Sequence, residues 1–247
     1  MDLNSKVYLK IKPPGMTSKD FADDIKEENK LKKICFCGRL DPMARGEMLL
    51  LGDEMCKQMD NHKNYDKTYQ FEIVFGFQTD TDDFLGLIES CQKDFDSTII
   101  YKKILDELNT YPKKFSQKFH KYSSIRVNGD PLWLHSKENK KITKLPEHIV
   151  EIKKVKVIEF YEVKFEYFLD DIIDRIENIN NKHDFRQEDI VNQWINFLVV
   201  FDTIHSLKLE LTVSSGFYVR QFVRDLSERL NFPLVVHDIN RTKINLK

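Results

Sequence analysis

The chain has 247 residues, 41% of them hydrophobic, enough to bury one large core or a domain with a subdomain. Its 39 basic and 40 acidic side chains leave a formal net charge of −1, which excludes attraction to nucleic acid by bulk charge and leaves only local patches for that purpose. Four cysteines without paired zinc-ligand spacing, no apolar core in Met1–Lys12 and no uncharged run near the roughly 18–20 residues of a bilayer span argue against a disulfide scaffold, a structural metal, a secretory signal and a membrane crossing. The composition reads as a soluble, intracellular chain, cytoplasmic in the first instance, with nuclear or organellar compartments left open.

In chain order, Val7–Ile11 predicts a short strand that ends at Pro13-Pro14-Gly15, a turn no helix crosses. Ser18 offers an N-cap for a polar helix reaching about Lys30. Glu47–Leu51 is a short apolar run, followed by a helical stretch from Asp53 to about Asn61. Alternation and aromatic content predict strands over Tyr65–Phe77 and Lys156–Phe168, the second with Val163, Phe165 and Tyr167 on one face. Asp170–Asn181 and Gln187–Leu198 read as helices. Leu207, Leu209, Leu211 and Val213 alternate with polar residues in a half-buried strand, and after Ser214-Ser215-Gly216 the residues Val219, Phe222, Val223, Leu226 and Leu230 keep helical spacing. Strands and helices mixed without a βαβ rhythm predict an α+β fold, with a mostly antiparallel central sheet flanked by helices and loops.

Charge is unevenly spread. Residues 111–144 carry nine Lys or Arg, among them Lys141, against Asp130 and Glu138, whereas residues 161–190 carry nine Asp or Glu against four cations. The first stretch suits contact with phosphates and the second faces solvent or another partner, although two ordinary solvated faces would look the same.

Residues 38–46 are the most unusual stretch: Gly38-Arg39-Leu40-Asp41-Pro42-Met43-Ala44-Arg45-Gly46. Pro42 fixes its own φ and biases Asp41 away from the helical region, so the acid sits on a shaped loop between glycines. Such a loop can carry a catalytic group on a rigid scaffold, or serve as plain structural punctuation.

Residues 38–46 match Gly-x-Leu-Asp-Pro-x-Ala-x-Gly, the catalytic-loop motif of the TruB family of pseudouridine synthases, at every fixed position. Five further blocks resemble that family in order. They are Lys12-Pro13-Pro14-Gly15-Met16-Thr17-Ser18, Lys67-Thr68-Tyr69, Thr79-Asp80-Thr81-Asp82-Asp83 with Gly86 (family Thr-Asp-Thr-x-Asp-x-x-Gly), Tyr122-Ser123-Ser124 through Gly129, and Ser215-Gly216-Phe217-Tyr218-Val219-Arg220.

The resemblance implies a single pseudouridine synthase domain over residues 1–247, with the fold of that family and a mixed central sheet. It implies Asp41 as nucleophile, Arg220 as its pairing guanidinium and Tyr69 as the aromatic that stacks on an everted base. A core strand position is the alternative for Tyr69, and Tyr218 is either a pocket wall or a packing residue. Phe36, Arg39, Lys12, Lys67 and Arg126 are expected to meet substrate, with phosphates held along 111–144. No metal or organic cofactor is implied.

The implied activity is isomerisation of a uridine in RNA, most naturally position 55 of the tRNA T-loop, by a monomer needing no guide RNA. The alternatives are a non-catalytic RNA-binding or RNA-folding protein on the same scaffold and a synthase acting on mRNA or rRNA. Departures from the pattern are Cys35-Phe36-Cys37 where the family has Gly-His-x, Phe119-His120 where it has Pro-Pro, Arg224 where an acid is common, an acidic insertion around 161–195, and no C-terminal PUA-type domain.

Overall fold

In the computed structural model, which describes residues 6–246 apart from 139, 141, 143 and 181, eight strands form one sheet. Readings that fall on Lys141 and Asn181 therefore lie outside the described residues. The sheet runs β1 (Val7–Lys12), β3 (Arg45–Gly52), β12 (Leu234–Asn245), β4 (Asp66–Phe75), β11 (Thr203–Val213), β10 (Glu147–Lys164) and β7 (Lys114–Lys118), with β2 (Ile34–Phe36) also paired to β3. Neighbours are antiparallel except β12 and β3, which meet in a short parallel bridge at Asn240–Arg45 and Arg241–Gly46. The expected α+β class with a mostly antiparallel sheet holds. Two short pairs lie apart from it: β5 (Phe77–Thr79) with β6 (Ile88–Cys91), and β8 (Arg126–Val127) with β9 (Asp130–Pro131).

Helices α1 (Ser18–Glu28), α3 (Ser97–Thr110) and α7 (Val219–Leu230) supply apolar stripes to the main core, against Phe71, Ile73, Leu207 and Leu209 of the sheet. Helices α5 (Phe165–Glu177) and α6 (Gln187–Asn196) build a second core with Phe77, Phe84 and Val235. The remaining helices, α2 (Met59–His62) and α4 (Leu132–Lys137), are single short turns. No helix among the described residues is long and apolar enough to cross a membrane.

Several expected boundaries move. Thr17, not Ser18, caps α1: its hydroxyl accepts from Asp20 N at 3.1 Å, while Asp20 returns a bond to Thr17 N. The Glu47–Leu51 run is the middle of β3, buried on both faces, which is why it shows no alternation. The stretch from Asp53 is a 3-10 helix to Gln58 before α2, and neither buries a residue. The strand expected to end at Phe168 stops at Lys164. From Phe165 the spacing Phe165, Phe168, Leu169, Ile172, Ile176 gives a helix, and Tyr167, expected beside Phe165, is 61% exposed. Residues 161–164 of the acidic stretch thus belong to β10, paired with β11.

Glu72, on β4, accepts from the Tyr161 hydroxyl at 2.7 Å and lies 3.3 Å from His237 Nδ1. Burial alone would raise its pKa, but His237 and Tyr161 outweigh it and hold the acid at about 2, against an ordinary 4.5. A folded value below the unfolded one means stabilisation complete above pH 4.5 and lost as pH falls through about 2. Glu72→Gln is therefore expected to cost about 3 kcal/mol near neutral pH and almost nothing at about pH 2, read by urea unfolding across that range. A cost independent of pH would show that Glu72 acts by shape alone.

Candidate active site

The 38–46 loop is held from behind by two buried cations. Lys12 Nζ donates to the carbonyls of Ala44 (2.7 Å), Pro13 (2.7 Å) and Pro42 (3.3 Å). Arg241, from β12, donates to Glu47 O (2.6 Å), Arg39 O (3.2 Å) and Gly38 O (3.3 Å). Charge-assisted bonds to carbonyls on both sides of Asp41 fix the path of the loop. Ser18 at the start of α1 adds a reciprocal pair with Leu40, its Oγ bonding Leu40 O and N at 2.8 Å each. Gly15 N donates to Pro42 O at 2.9 Å.

So held, the loop presents Asp41 to Arg220 in the first turn of α7. Arg220 Nη2 donates to Asp41 Oδ1 at 2.6 Å and Nε to Oδ2 at 2.9 Å, a fork-on-fork contact that fixes both position and plane. The Arg220 side chain is 6% exposed while that of Asp41 keeps 36%, so the acid is the part of the pair open to an incoming molecule. Behind it, Arg220 Nη1 donates to Thr81 O at 3.0 Å and lies 3.4 Å from Asp83 Oδ2. Burial opposes the charge on Arg220, but the carboxylates of Asp41 and Asp83 outweigh it and push its pKa up. Burial raises the Asp83 carboxyl to about 6 despite Arg220 beside it, and Asp83 also accepts from Thr81 Oγ1 (2.7 Å) and Leu85 N (3.1 Å).

Tyr218 closes the neighbourhood. Its hydroxyl is pushed up by burial and then by the Asp41 carboxylate, with Arg220 opposing and Tyr69 adding to the shift. Tyr69 sits on β4, opposite Leu211 and 7% exposed. Gln117 of β7 fastens the corner, donating to Tyr218 O (3.1 Å) and accepting from Tyr218 N (2.9 Å).

The other expected contact residues lie elsewhere. Phe36 is half-buried on β2 with the exposed Arg39 guanidinium 5.0 Å from its ring centre, a cation–π pair next to the loop. Lys12 and Lys67, at 0% and 4% exposure, bond backbone carbonyls in this structure. Lys67 Nζ donates to Tyr65 O (2.6 Å) and Lys63 O (3.2 Å). Burial pushes Lys12 down to about 7 and Lys67 to about 8. Arg126 is exposed on the β8–β9 hairpin and bonds Gly129 O at 3.1 Å.

Sequence reasoning assigned no role to Thr81, Asp83 or Arg241. Asp83 stood in a recognised block, so the letter was visible and the partner was not. Arg241 belongs to no motif and carries no signal of its own.

Comparison with known proteins bears on the family of the chain. The family model for TruB family pseudouridylate synthases (N terminal domain) matches residues 26–170. A tRNA pseudouridine synthase B from Caldanaerobacter subterraneus subsp. tengcongensis is 28% identical over 235 residues, covering 95% of this chain and 67% of the relative. One of the same name from Ureaplasma urealyticum serovar 10 is 28% identical over 229 residues, covering 93% and 81%. Among solved structures, an H/ACA RNP bound to a substrate RNA containing 2′-deoxyuridine matches 97% of this chain with a TM-score of 0.55 and 13% identity. A Cbf5-Nop10-Gar1 complex matches 96% with a TM-score of 0.55 and 14% identity. This chain spans 47% and 48% of those two matched chains, and likeness at such identity establishes the fold alone.

Proposed function

Because the chain belongs to the TruB family of pseudouridylate synthases, we propose that it converts a uridine of tRNA, position 55 of the T-loop, to pseudouridine, with Asp41 as nucleophile. The observation that carries this reading is the forked Arg220–Asp41 contact, in which the guanidinium is buried and the carboxylate remains partly open. A carboxylate attacks at neutral pH and can depart again, as an isomerisation requires. Over the reaction the N1–C1′ bond breaks, the C5–C1′ bond forms, C5 loses its proton and N1 gains one, so substrate and product have the same composition. Tyr69, which packs in the main core at 7% exposure, is the candidate aromatic for an everted pyrimidine to stack on, and its hydroxyl is a candidate to help the C5 proton away. Asp41 is oriented before substrate arrives, which lowers the entropic part of the barrier.

The tRNA substrate is supported by relatives named tRNA pseudouridine synthase B that match more than nine-tenths of the chain. Their bacterial origin supports work in the cytoplasm by a single chain without a guide RNA. Phosphate contacts fall to the basic stretch 111–144. Lys114 and Lys118 are exposed on β7, the strand that Gln117 fastens to Tyr218, so a backbone held there runs beside the site. Extruding the base costs a few kcal/mol, offset by stacking and by these contacts.

The test is tritium release from tRNA transcripts labelled at uridine C5, with the modified position mapped afterwards. Release matched by one pseudouridine at position 55 is expected. Binding of tRNA without release would make the chain an RNA-binding protein on a synthase scaffold, and release from another position would reassign the substrate.

A further inference from the structure

Asp82 lies directly before Asp83 in the loop that backs Arg220, and its φ of +59° is a left-handed conformation uncommon for a residue with a side chain. What holds it there is a carboxylate divided between two partners. Oδ2 lies 2.9 Å from His120 Nε2, and Oδ1 accepts from Arg224 Nη1 at 3.0 Å. The backbone is tied as well: Asp82 N donates to Thr79 O (3.2 Å) and Asp82 O accepts from Val236 N (3.1 Å).

His120 is buried, and its Nδ1 accepts from Tyr122 N at 3.2 Å. That acceptor role assigns the proton to Nε2, which therefore donates to Asp82. Burial, then the nearby Arg220, push the His120 pKa down to about 4, so the ring is a neutral donor at physiological pH. Arg224 is also held through Nε by Glu228 (3.3 Å), and Glu89 lies 3.8 Å from the same Nη1 that meets Asp82. Asp82, His120 and Arg224 come from three separate stretches of the chain and meet at one buried carboxylate.

We propose that His120, Asp82 and Arg224 form a positioning unit that holds the 79–83 turn in the shape presenting Thr81 O and the Asp83 carboxylate to Arg220, and so sets the aim of Arg220 on Asp41. None of the three touches the reacting atoms. Their effect passes through Arg220, whose Nη1 is occupied by Thr81 and Asp83 while Nε and Nη2 face Asp41. If the turn relaxes, Nη1 loses its anchor and the fork on Asp41 tilts, in a site where a displacement of about 1 Å costs on the order of 100-fold in rate. The inference rests on Asp41 being the nucleophile.

The experiment uses the full chain and tRNA transcripts labelled at uridine C5, with single-turnover tritium release, filter binding and thermal unfolding measured side by side. His120→Leu is expected to slow release by about 10- to 100-fold while tRNA affinity stays within about threefold. His120→Gln, whose amide can still donate to Asp82, should recover most of the rate. A folded His120→Leu at wild-type rate would overturn the proposal. So would equal losses for Leu and Gln, or a fall in affinity as large as the fall in rate. Should His120→Leu fail to fold, Arg224→Gln at the partly exposed end of the unit decides: a loss of several-fold supports it, and an unchanged rate overturns it. A wild type that releases no tritium would instead remove the nucleophile assignment, and this inference with it.

Discussion

Asp41→Asn should leave tRNA binding within about threefold of wild type and lower single-turnover tritium release by at least about 10,000-fold. The carboxamide keeps the shape and one acceptor for Arg220, but it is no nucleophile, and it leaves the buried guanidinium with only Asp83 as a charged partner. Arg220→Ala should fall between the two, at about 1,000-fold, because the acid remains while its aim is lost. The comparison separates roles. If Arg220 held an RNA phosphate, its removal would weaken tRNA affinity and rate together and would lower the salt dependence of binding by about one unit of slope. At 6% exposure and with Nε, Nη1 and Nη2 each engaged by Asp41, Thr81 or Asp83, Arg220 is poorly placed to hold a phosphate, so the rate should carry the loss. Wild-type turnover by Asp41→Asn would end the assignment of the nucleophile.

The pair Asp41 and Arg220 was legible because fixed letters surround each of them, Leu40 and Pro42 on one side, Gly216 and Tyr218 on the other. Their separation of 179 positions did not matter once the blocks were matched in order. Strand β12 was not legible, for a physical reason. Its pairing with β4 shifts register between Val236 and Asp238 and again between Arg241 and Lys243, and each irregularity breaks the period-two alternation by which strands are recognised. Its buried Arg241 reads as a surface residue until the three carbonyls that accept from it are known.

The start of α5 is hidden in the sequence because Val163, Phe165 and Tyr167 alternate while Phe165, Phe168 and Leu169 already follow helical spacing. Two periodicities overlap in one stretch, and packing against Phe77 and Trp194 chooses the helix. Contacts from the acidic stretch to the site were beyond any local reading. Arg186 forks onto Asp80 at 2.7 and 3.1 Å, and Asn180 N donates to Gly15 O at 2.8 Å, so residues between α5 and α6 also brace two loops of the site.

Gly46→Ala should destabilise the protein by at least about 3 kcal/mol, a loss of roughly 6–12 °C in melting temperature for a chain of this size. Gly46 closes the catalytic-loop motif with a φ of +119°, outside the range comfortable for an L side chain. The larger cost is steric. A Cβ at this position would lie 2.3 Å from Arg241 O and 2.7 Å from Arg241 N, and both belong to the backbone of the neighbouring strand in the parallel bridge. Side chains could rotate away, but β12 is pinned on its other edge by the whole length of β4 and cannot withdraw. Gly38 provides the comparison at the opposite end of the motif. Its φ is +99°, yet a Cβ there meets only the ends of Arg241 and Lys67 side chains at 3.5 and 3.7 Å. Gly38→Ala should therefore cost about 1 kcal/mol, the conformational part alone. Equal losses for the two variants in urea unfolding would show that backbone conformation, and not the approach of β12, makes the second glycine necessary. If the ranking holds, the motif ends in glycine because the strand carrying Arg241 must pass that close for its guanidinium to reach Gly38 O and Arg39 O and hold the loop that aims Asp41.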